Sequence, residues 1–353
     1  MAGGGDGLVA SLAGDDEIAA QFSASAEVAA MLRFEAALAE AQGNLGIIPA
    51  DAARAIADVA SRLDADTAAI RRGMARDGVP VPDLVAELRA ACGEAQAGFV
   101  HRGATSQDVV DTGLMLRLKT VLSLIDDRVA RVLGRLADMA ADQAATPLMA
   151  QTRMQAALPF TAAEKLATWR VPLESHRERL ARLAAELPVQ LGGPIGNGAS
   201  FGPDYPALRA DLARRLGLRE AQPWHADRTP VLDVAHGLAL FTGSLAKIGQ
   251  DVALMAQTRV QAIELTGGGG SSAMAHKRNP VAAEALVALG RLNAGLLGTL
   301  SQSMIHENER SGAAWTLEWL VLPQMAEAAG GACRLAEALL ADARFVPEPD
   351  TCR

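Results

Sequence analysis

Two stretches of the chain combine residue types that could do chemistry. Residues 267–280 read GGGGSSAMAHKRNP: four glycines, then Ser271 and Ser272, then Lys277 and the pair Asn279-Pro280. Consecutive glycines open the backbone to conformations other residues avoid, so the run reads as a mobile loop. Asn279 suits a helix N-cap and Pro280 the first helical position. The segment is therefore expected to carry two hydroxyls and an amino group to a helix N-terminus, where free N–H groups and the helix dipole favour anions. Residues 99–112, FVHRGATSQDVVDT, form the second stretch. Gly103 leads into Thr105 and Ser106, with Asp108 just inside the following run, as in a capped helix start. A plain cap needs one hydroxyl and no imidazole, so His101, Thr105 and Ser106 together are candidate catalytic residues. The bland alternatives are a glycine-rich linker and an ordinary cap.

The elements that must position these residues read as helices. The chain has 353 residues, half of them hydrophobic but only 3% aromatic, and is visibly rich in Ala and Leu. That composition favours helices packed through small and aliphatic side chains. After about 20 loose residues, a helix is predicted over 25–43, with Val28, Met31, Leu32 and Leu38 on one face. Further helical stretches follow near 51–72 and 81–96. From Met115 through Leu118, Leu122, Ile125, Val129, Val132 and Leu136 to Met139, apolar residues step by three and four without a miss. Such a seam marks a long bundle helix. Another long helix is predicted over 162–187, followed by a Pro/Gly-rich connection through 206 with too many breakers for regular structure.

From Arg228, Val231 to Met255 repeat the three-and-four step beside a second stripe of Ala235, Ala239, Ala246, Gly249, Ala253 and Ala256. Apolar around so much of its circumference, this helix should be buried on several sides, and its small residues suggest the centre of an oligomer. The last helices are predicted over 280–306 and 313–341, the latter kinked at Pro323 and Gly330-Gly331. The fold class is all-α: a small N-terminal helical domain (1–104), a central bundle of long helices (105–342) and a short tail (343–353).

A formal charge of −8 argues against a nucleic-acid partner. Cys92, Cys333 and Cys352 are odd in number and scattered, neither a disulfide framework nor a metal pattern, and a reducing cytoplasm is the simplest home. The first residues lack a basic n-region and a long apolar core. Apolar runs elsewhere are interrupted short of ~20 residues, so no membrane-spanning helix is expected.

The two opening stretches share one pattern source. HKRNP with its preceding serines closely resembles the GSSxMPxKxNP loop of the fumarase/aspartase superfamily, with Ala275 where that pattern has Pro, and H-x-G-x-T-S-x-D resembles the superfamily's first shared region. Residues 150–159, AQTRMQAALP, are similar to its second region through Thr152, Gln155, Ala157 and Pro159; Gln151 replaces an Arg, and Arg153 stands where many members carry His. The resemblance covers roughly residues 28–341. It implies a homotetramer in which three regions from three subunits build each active site, with a further C-terminal helical domain absent or reduced here. It implies a small polycarboxylate substrate, no metal and no cofactor, and no nucleic-acid or membrane partner.

By the same resemblance Ser271 is the proton-transfer group, although Ser272 in that role stays open. Ser272, Lys277, Asn279, Thr152, Arg153, Gln155, His225, Arg228 and Arg310 are candidate substrate contacts. Removing a proton beside a carboxylate gives an enolate-like intermediate that needs fixed donors and positive charge. Arg153 narrows the reaction. A lyase expelling an amine or hydroxide needs a general acid, for which His is suited and Arg is not. A departing carboxylate needs no proton, as when a muconate lactone opens or closes. PWHADR at 223–228 and HENERSGAAWTLEW at 306–319 look most like the 3-carboxy-cis,cis-muconate cycloisomerases of bacteria. The alternatives are an adenylosuccinate lyase-like C–N lyase and a non-catalytic helical scaffold. His176 and His236, inside helical runs, read as structural. His276 could orient the loop or touch substrate, and His306 could cap its helix.

Overall fold

The computed structural model describes residues 7–267, 269–270, 274 and 277–347. In chain order the helices are α1 (Leu8–Ala13), α2 (Asp16–Ala20), α3 (Ala24–Asn44), α4 (Ala50–Arg62), α5 (Thr67–Asp77), α6 (Val81–Cys92), α7 (Glu94–Ala97), α8 (Ser106–Gln143), α9 (Ala162–Glu186), α10 (Tyr205–Leu216), α11 (Thr229–Met255), α12 (Val281–Leu300) and α13 (Gly312–Asp342). Among the described residues the strands make two-stranded antiparallel pairs: β1 (Pro147–Thr152) with β2 (Gln155–Thr161), β3 (Ile263–Leu265) with β6 (Ala343–Phe345), and β4 (Gly269–Gly270) with β5 (Arg278–Asn279).

The predicted seam of α8 is the spine of the molecule. Met115, Leu118, Leu122, Ile125, Val129, Val132, Leu136 and Met139 are all buried, against α3 on one side and α9 and α13 on others. α11 lies among α9, α12 and α13, and its Leu238, Phe241, Leu245 and Val252 have no exposed surface. Its small-residue stripe works inside the chain. A Cβ on Gly249 would stand 2.6 Å from the Ala283 carbonyl oxygen, and one on Gly290 would stand 2.4 Å from Ala246 Cβ, so α11 and α12 approach at a distance only these residues permit. By length and mean composition two helical stretches would be able to cross a bilayer, Thr229–Met255 and Val281–Met304, although charged residues interrupt the apolar run of each, as expected. The first is largely a core helix.

Residues 15–20 are not loose. Asp15 caps α2 through the Ile18 amide at 3.0 Å, and Arg128 of α8 pairs with both Asp15 and Glu17. The pair Gly330-Gly331 admits this docking: a Cβ at 331 would lie 2.1 Å from the Ala13 carbonyl oxygen. α13 runs as one helical element through Pro323. The stretch 51–72 divides at 63–66, where the Asp66 carboxylate accepts from the Ala68 and Ala69 amides and starts α5 afresh. Residues 147–161, between two long helices, form a hairpin whose two-residue turn is Arg153-Met154, both left-handed at φ 50° and 66°. α10 goes unsignalled in the apolar pattern, being only 12 residues long and ended by left-handed Gly217. Residues 343–345, expected as tail, pair with β3.

Candidate active site

The N-terminus of α8 is the organised centre. Thr105 is its N-cap, and the Thr105 amide donates to Asp108 Oδ2 at 3.1 Å, closing the first turn. Asp108 is fully buried and accepts two more amides, from Gly192 at 2.7 Å and Gly193 at 2.9 Å, while His225 Nε2 lies 3.1 Å from its Oδ1. The Pro/Gly-rich connection thus has no long element, as predicted, yet it is a fixed wall around the helix start. A Cβ on Gly193 would lie 2.3 Å from Ser200 Oγ, whose hydroxyl donates to the Gly103 carbonyl at 2.6 Å. Thr105 and Ser106 are half-buried at the mouth of this wall. Amides in a first helical turn lack intrahelical partners and point outward, so the arrangement favours an anion in front of Thr105 and Ser106.

His101 enters from the preceding loop in a left-handed conformation, φ 59°. Its Nδ1 is 2.6 Å from Glu35 Oε1, and Glu35 is buried on α3. Seven residues along the same helix face, Gln42 Nε2 donates to the Arg102 carbonyl at 2.8 Å, so α3 grips the loop at two points. Burial opposes a charge on His101, but the Glu35 carboxylate outweighs it, and the imidazole pKa lies above its ordinary value.

Behind α8 lies a saturated buried network. Arg228 donates to Asp111 at 2.8 and 3.1 Å and to Glu318 at 2.8 and 2.6 Å, and its guanidinium lies 4.8 Å from the Trp224 ring centroid. Trp315 Nε1 adds a 2.9 Å bond to Asp111, and Gln107 Nε2 one of 3.1 Å. Burial works against the Arg228 charge, yet the two carboxylates hold its pKa above the usual range; burial raises that of Glu318. Arg228, expected to meet substrate, has no exposed surface and spends its fork on carboxylates of α8 and α13. Arg310 is half-exposed; its Nε donates to Gln107 Oε1 at 2.7 Å and its Nη2 to the Pro194 carbonyl at 3.3 Å. His306 accepts the Ser311 amide at 3.3 Å, and burial, then Arg228, lower its pKa.

The remaining candidates stand elsewhere. Thr152, Arg153 and Gln155 are exposed at the hairpin tip, where Arg153 lines a groove with Lys165 and Asp251. Among the described residues, no hydrogen bond or ion pair joins that tip to the start of α8. Lys277 is exposed, and Asn279 does not cap α12: it pairs with Gly269 in the short ladder closing the loop, and the helix begins at Val281 with Pro280 at the cap. The loop base is anchored where the Asp342 carboxylate accepts the Gly267 amide at 2.6 Å. Gly269 is needed for close approach, since a Cβ there would stand 2.5 Å from Val281 Cγ2. Ser271, Ser272, Ala275 and His276 lie outside the described residues. Cys92 and Cys333 are free thiols.

The sequence of the lyase family matches residues 13–292. The chain belongs to this family, within the fumarase/aspartase superfamily. A 3-carboxy-cis,cis-muconate cycloisomerase of Pseudomonas aeruginosa is 41% identical over 91% of this chain and 72% of its own length. A nitrosuccinate lyase of Streptomyces davaonensis is 37% identical over 95% of this chain and 74% of its own. The crystal structure of the 3-carboxy-cis,cis-muconate lactonizing enzyme of Pseudomonas putida superposes with a TM-score of 0.88 at 35% identity, covering 96% of this chain and 77% of that one.

Glu35, Gln42, Gln107, Asp111, Trp315 and Glu318 escaped the sequence reading. A signal existed for some of them: Glu35 and Gln42 interrupt the apolar face of α3 seven residues apart, and Glu318 sits between two tryptophan-flanked apolar runs. Their long-range partners, 60 to 204 residues away, carried no comparable mark.

Proposed function

We propose that the chain converts 3-carboxy-cis,cis-muconate to 4-carboxymuconolactone, with Ser271 exchanging the proton with substrate carbon. One substrate carboxylate adds through oxygen to the conjugated double bond, and charge moves into the carboxylate beside the reacting carbon. The enolate-like species is then protonated at carbon by Ser271; in reverse the same hydroxyl is the base. Thr105, Ser106 and the first-turn amides of α8 receive the developing oxyanion, with Lys277 adding positive charge and His101 a further polar contact. Thr152, Arg153 and Gln155 hold carboxylates from the hairpin, and Arg310, Ser272 and Asn279 complete the substrate shell. His225 and Arg228 are reassigned: both are buried in the chain's own network and position the start of α8.

Arg153 carries the choice of reaction, because a guanidinium cannot protonate a leaving amine or hydroxide and a carboxylate needs no such proton. A nitro group leaving as nitrite would need none either, so nitrosuccinate is the second substrate to assay. Offering carboxymuconate, nitrosuccinate and adenylosuccinate in parallel and following the ultraviolet signal of each should give turnover of the first alone. Turnover of another substrate without carboxymuconate overturns the assignment. Ser271→Ala should lower kcat by at least ~100-fold with helicity and oligomer unchanged. Full activity in that variant would sink the serine assignment and favour Ser272.

The same reading includes a cytoplasmic homotetramer that shares its sites between subunits. Support comes from the exposed hairpin tip and from apolar side chains left open on α12 and just beyond it, Leu292, Met304 and Ile305. The division at residue 104 belongs to it too: the residues before it bring Glu35, Gln42 and His101 to the bundle.

A further inference from the structure

Arg310 is held in a way that leaves its charge unspent. It precedes α13, is half-exposed, and reaches both walls of the α8 mouth. Its Nε donates to Oε1 of Gln107, the neighbour of Ser106, at 2.7 Å, and its Nη2 to the carbonyl of Pro194, the neighbour of Gly193, at 3.3 Å. Both acceptors are neutral. Among the described residues no carboxylate pairs with this guanidinium and nothing accepts from its Nη1; Glu307, earlier in the same segment, bonds to Ser311 instead. Arg228 is the contrast, with its fork closed by Asp111 and Glu318.

Gln107 dictates that arrangement. It has no exposed surface, and its Nε2 donates to Asp111 Oδ2 at 3.1 Å and to the His225 carbonyl at 2.9 Å. Both partners only accept, since Asp111 also takes donors from Arg228 and Trp315. The amide therefore has one orientation, with its oxygen toward Arg310. Turned over, it would set N–H against guanidinium and oxygen against carboxylate. A carboxylate at 107 would hold Arg310 but cancel its charge, whereas the amide holds it and leaves the charge free.

We propose that Gln107 is a positioning residue: it fixes Arg310 at the α8 mouth with an open guanidinium edge, as a clamp for one carboxylate of a polycarboxylate substrate. The proposal rests on the reading that puts Arg310 in the substrate shell, and adds what makes that residue competent. A clamp that holds a carboxylate throughout the reaction binds ground and transition states alike, so its loss raises KM with little change in kcat.

The probe is tricarballylate, an unreactive tricarboxylate, titrated by calorimetry into the full-length protein as wild type, Gln107→Met, Arg310→Met and the double variant. Each single change should weaken binding about tenfold, and the double variant should match Arg310→Met within about twofold, because Gln107 acts through Arg310. With carboxymuconate, Gln107→Met should raise KM about tenfold and keep kcat within about threefold. A merely structural Gln107 would loosen the start of α8 in either background, so effects that multiply to about 100-fold in the double variant overturn the proposal. Unchanged binding in folded Gln107→Met overturns it too, as does absence of saturable binding to the wild type. Thermal melts verify folding, and Arg310→Lys gives a test that leaves the buried network untouched. The ammonium keeps the charge but lacks the fork that Gln107 and Pro194 hold, so its affinity should stay within about threefold of Arg310→Met; near-wild-type affinity overturns the proposal. A wild type that binds tricarballylate, with the variants in this pattern, and does not turn over carboxymuconate supports the positioning role and overturns the reaction assigned above.

Discussion

His101 shows how one buried neighbour sets a residue's chemistry. Glu35 holds Nδ1 at 2.6 Å, and the carboxylate keeps the imidazole protonated at higher pH than a free histidine. A raised folded-state pKa adds stability that is fully present below about pH 6.5 and is lost as pH climbs through the folded value. Glu35→Gln removes the charge and keeps an acceptor. The His101 titration followed by NMR should fall to lower pH, the limb of kcat/KM assigned to it should shift the same way, and the stability deficit should be largest on the acid side. An unmoved titration would show that Glu35 only packs. The motif H-x-G-x-T-S-x-D was legible in the sequence; its partner on α3 was not, because a single Glu in an apolar helix face does not say what it faces.

Among elements, the long helices were the easiest to read and the short or paired ones the hardest. The seam of α8 repeats over many turns, and every residue of it is in the core. The hairpin 147–161 carries no strict alternation: residues 151–159 are all exposed, so no face was being selected for burial. The glycine pair in α13 has a use that the sequence does not display. Glycine in a helix is the same letter whether it bends the helix or admits a neighbour. Gly331→Ala separates the two. A methyl 2.1 Å from the Ala13 carbonyl oxygen must displace α1 and α2, costing roughly 1–3 kcal/mol despite the better helix propensity of Ala. The Tm should fall and limited proteolysis should cut near residues 13–21. A raised Tm with unchanged digestion would mean the segment yields without cost.

At the scale of the whole molecule, the single chain leaves its candidate residues in separate places: the α8 mouth, the hairpin tip and the loop base. α12 at Leu292 and the turn just beyond the helix, at Met304 and Ile305, also keep apolar surface open, with Leu292 at 47% and Ile305 at 75% exposure. Apolar surface of that kind supports the proposed association face. Leu292→Glu should leave far-ultraviolet circular dichroism unchanged, reduce the molar mass in solution and lower kcat by at least ~100-fold, because subunits that separate cannot share a site. A variant that dissociates and keeps full activity would place all the working residues within one chain. One that does not dissociate would move the interface elsewhere.

The sequence by itself determined the helical class, the long bundle helices and the family, because apolar periodicity and a few glycine-, serine- and histidine-bearing motifs are local and survive in one dimension. Tertiary structure alone decided that Arg228 is an internal tie between α8 and α13, that Gly249 and Gly290 let two helices touch, and that Asp108 is held by the amides of Gly192 and Gly193. Each depends on groups far apart in the chain meeting where water is excluded. There an unpaired charge or one extra methyl costs more than any local preference can express.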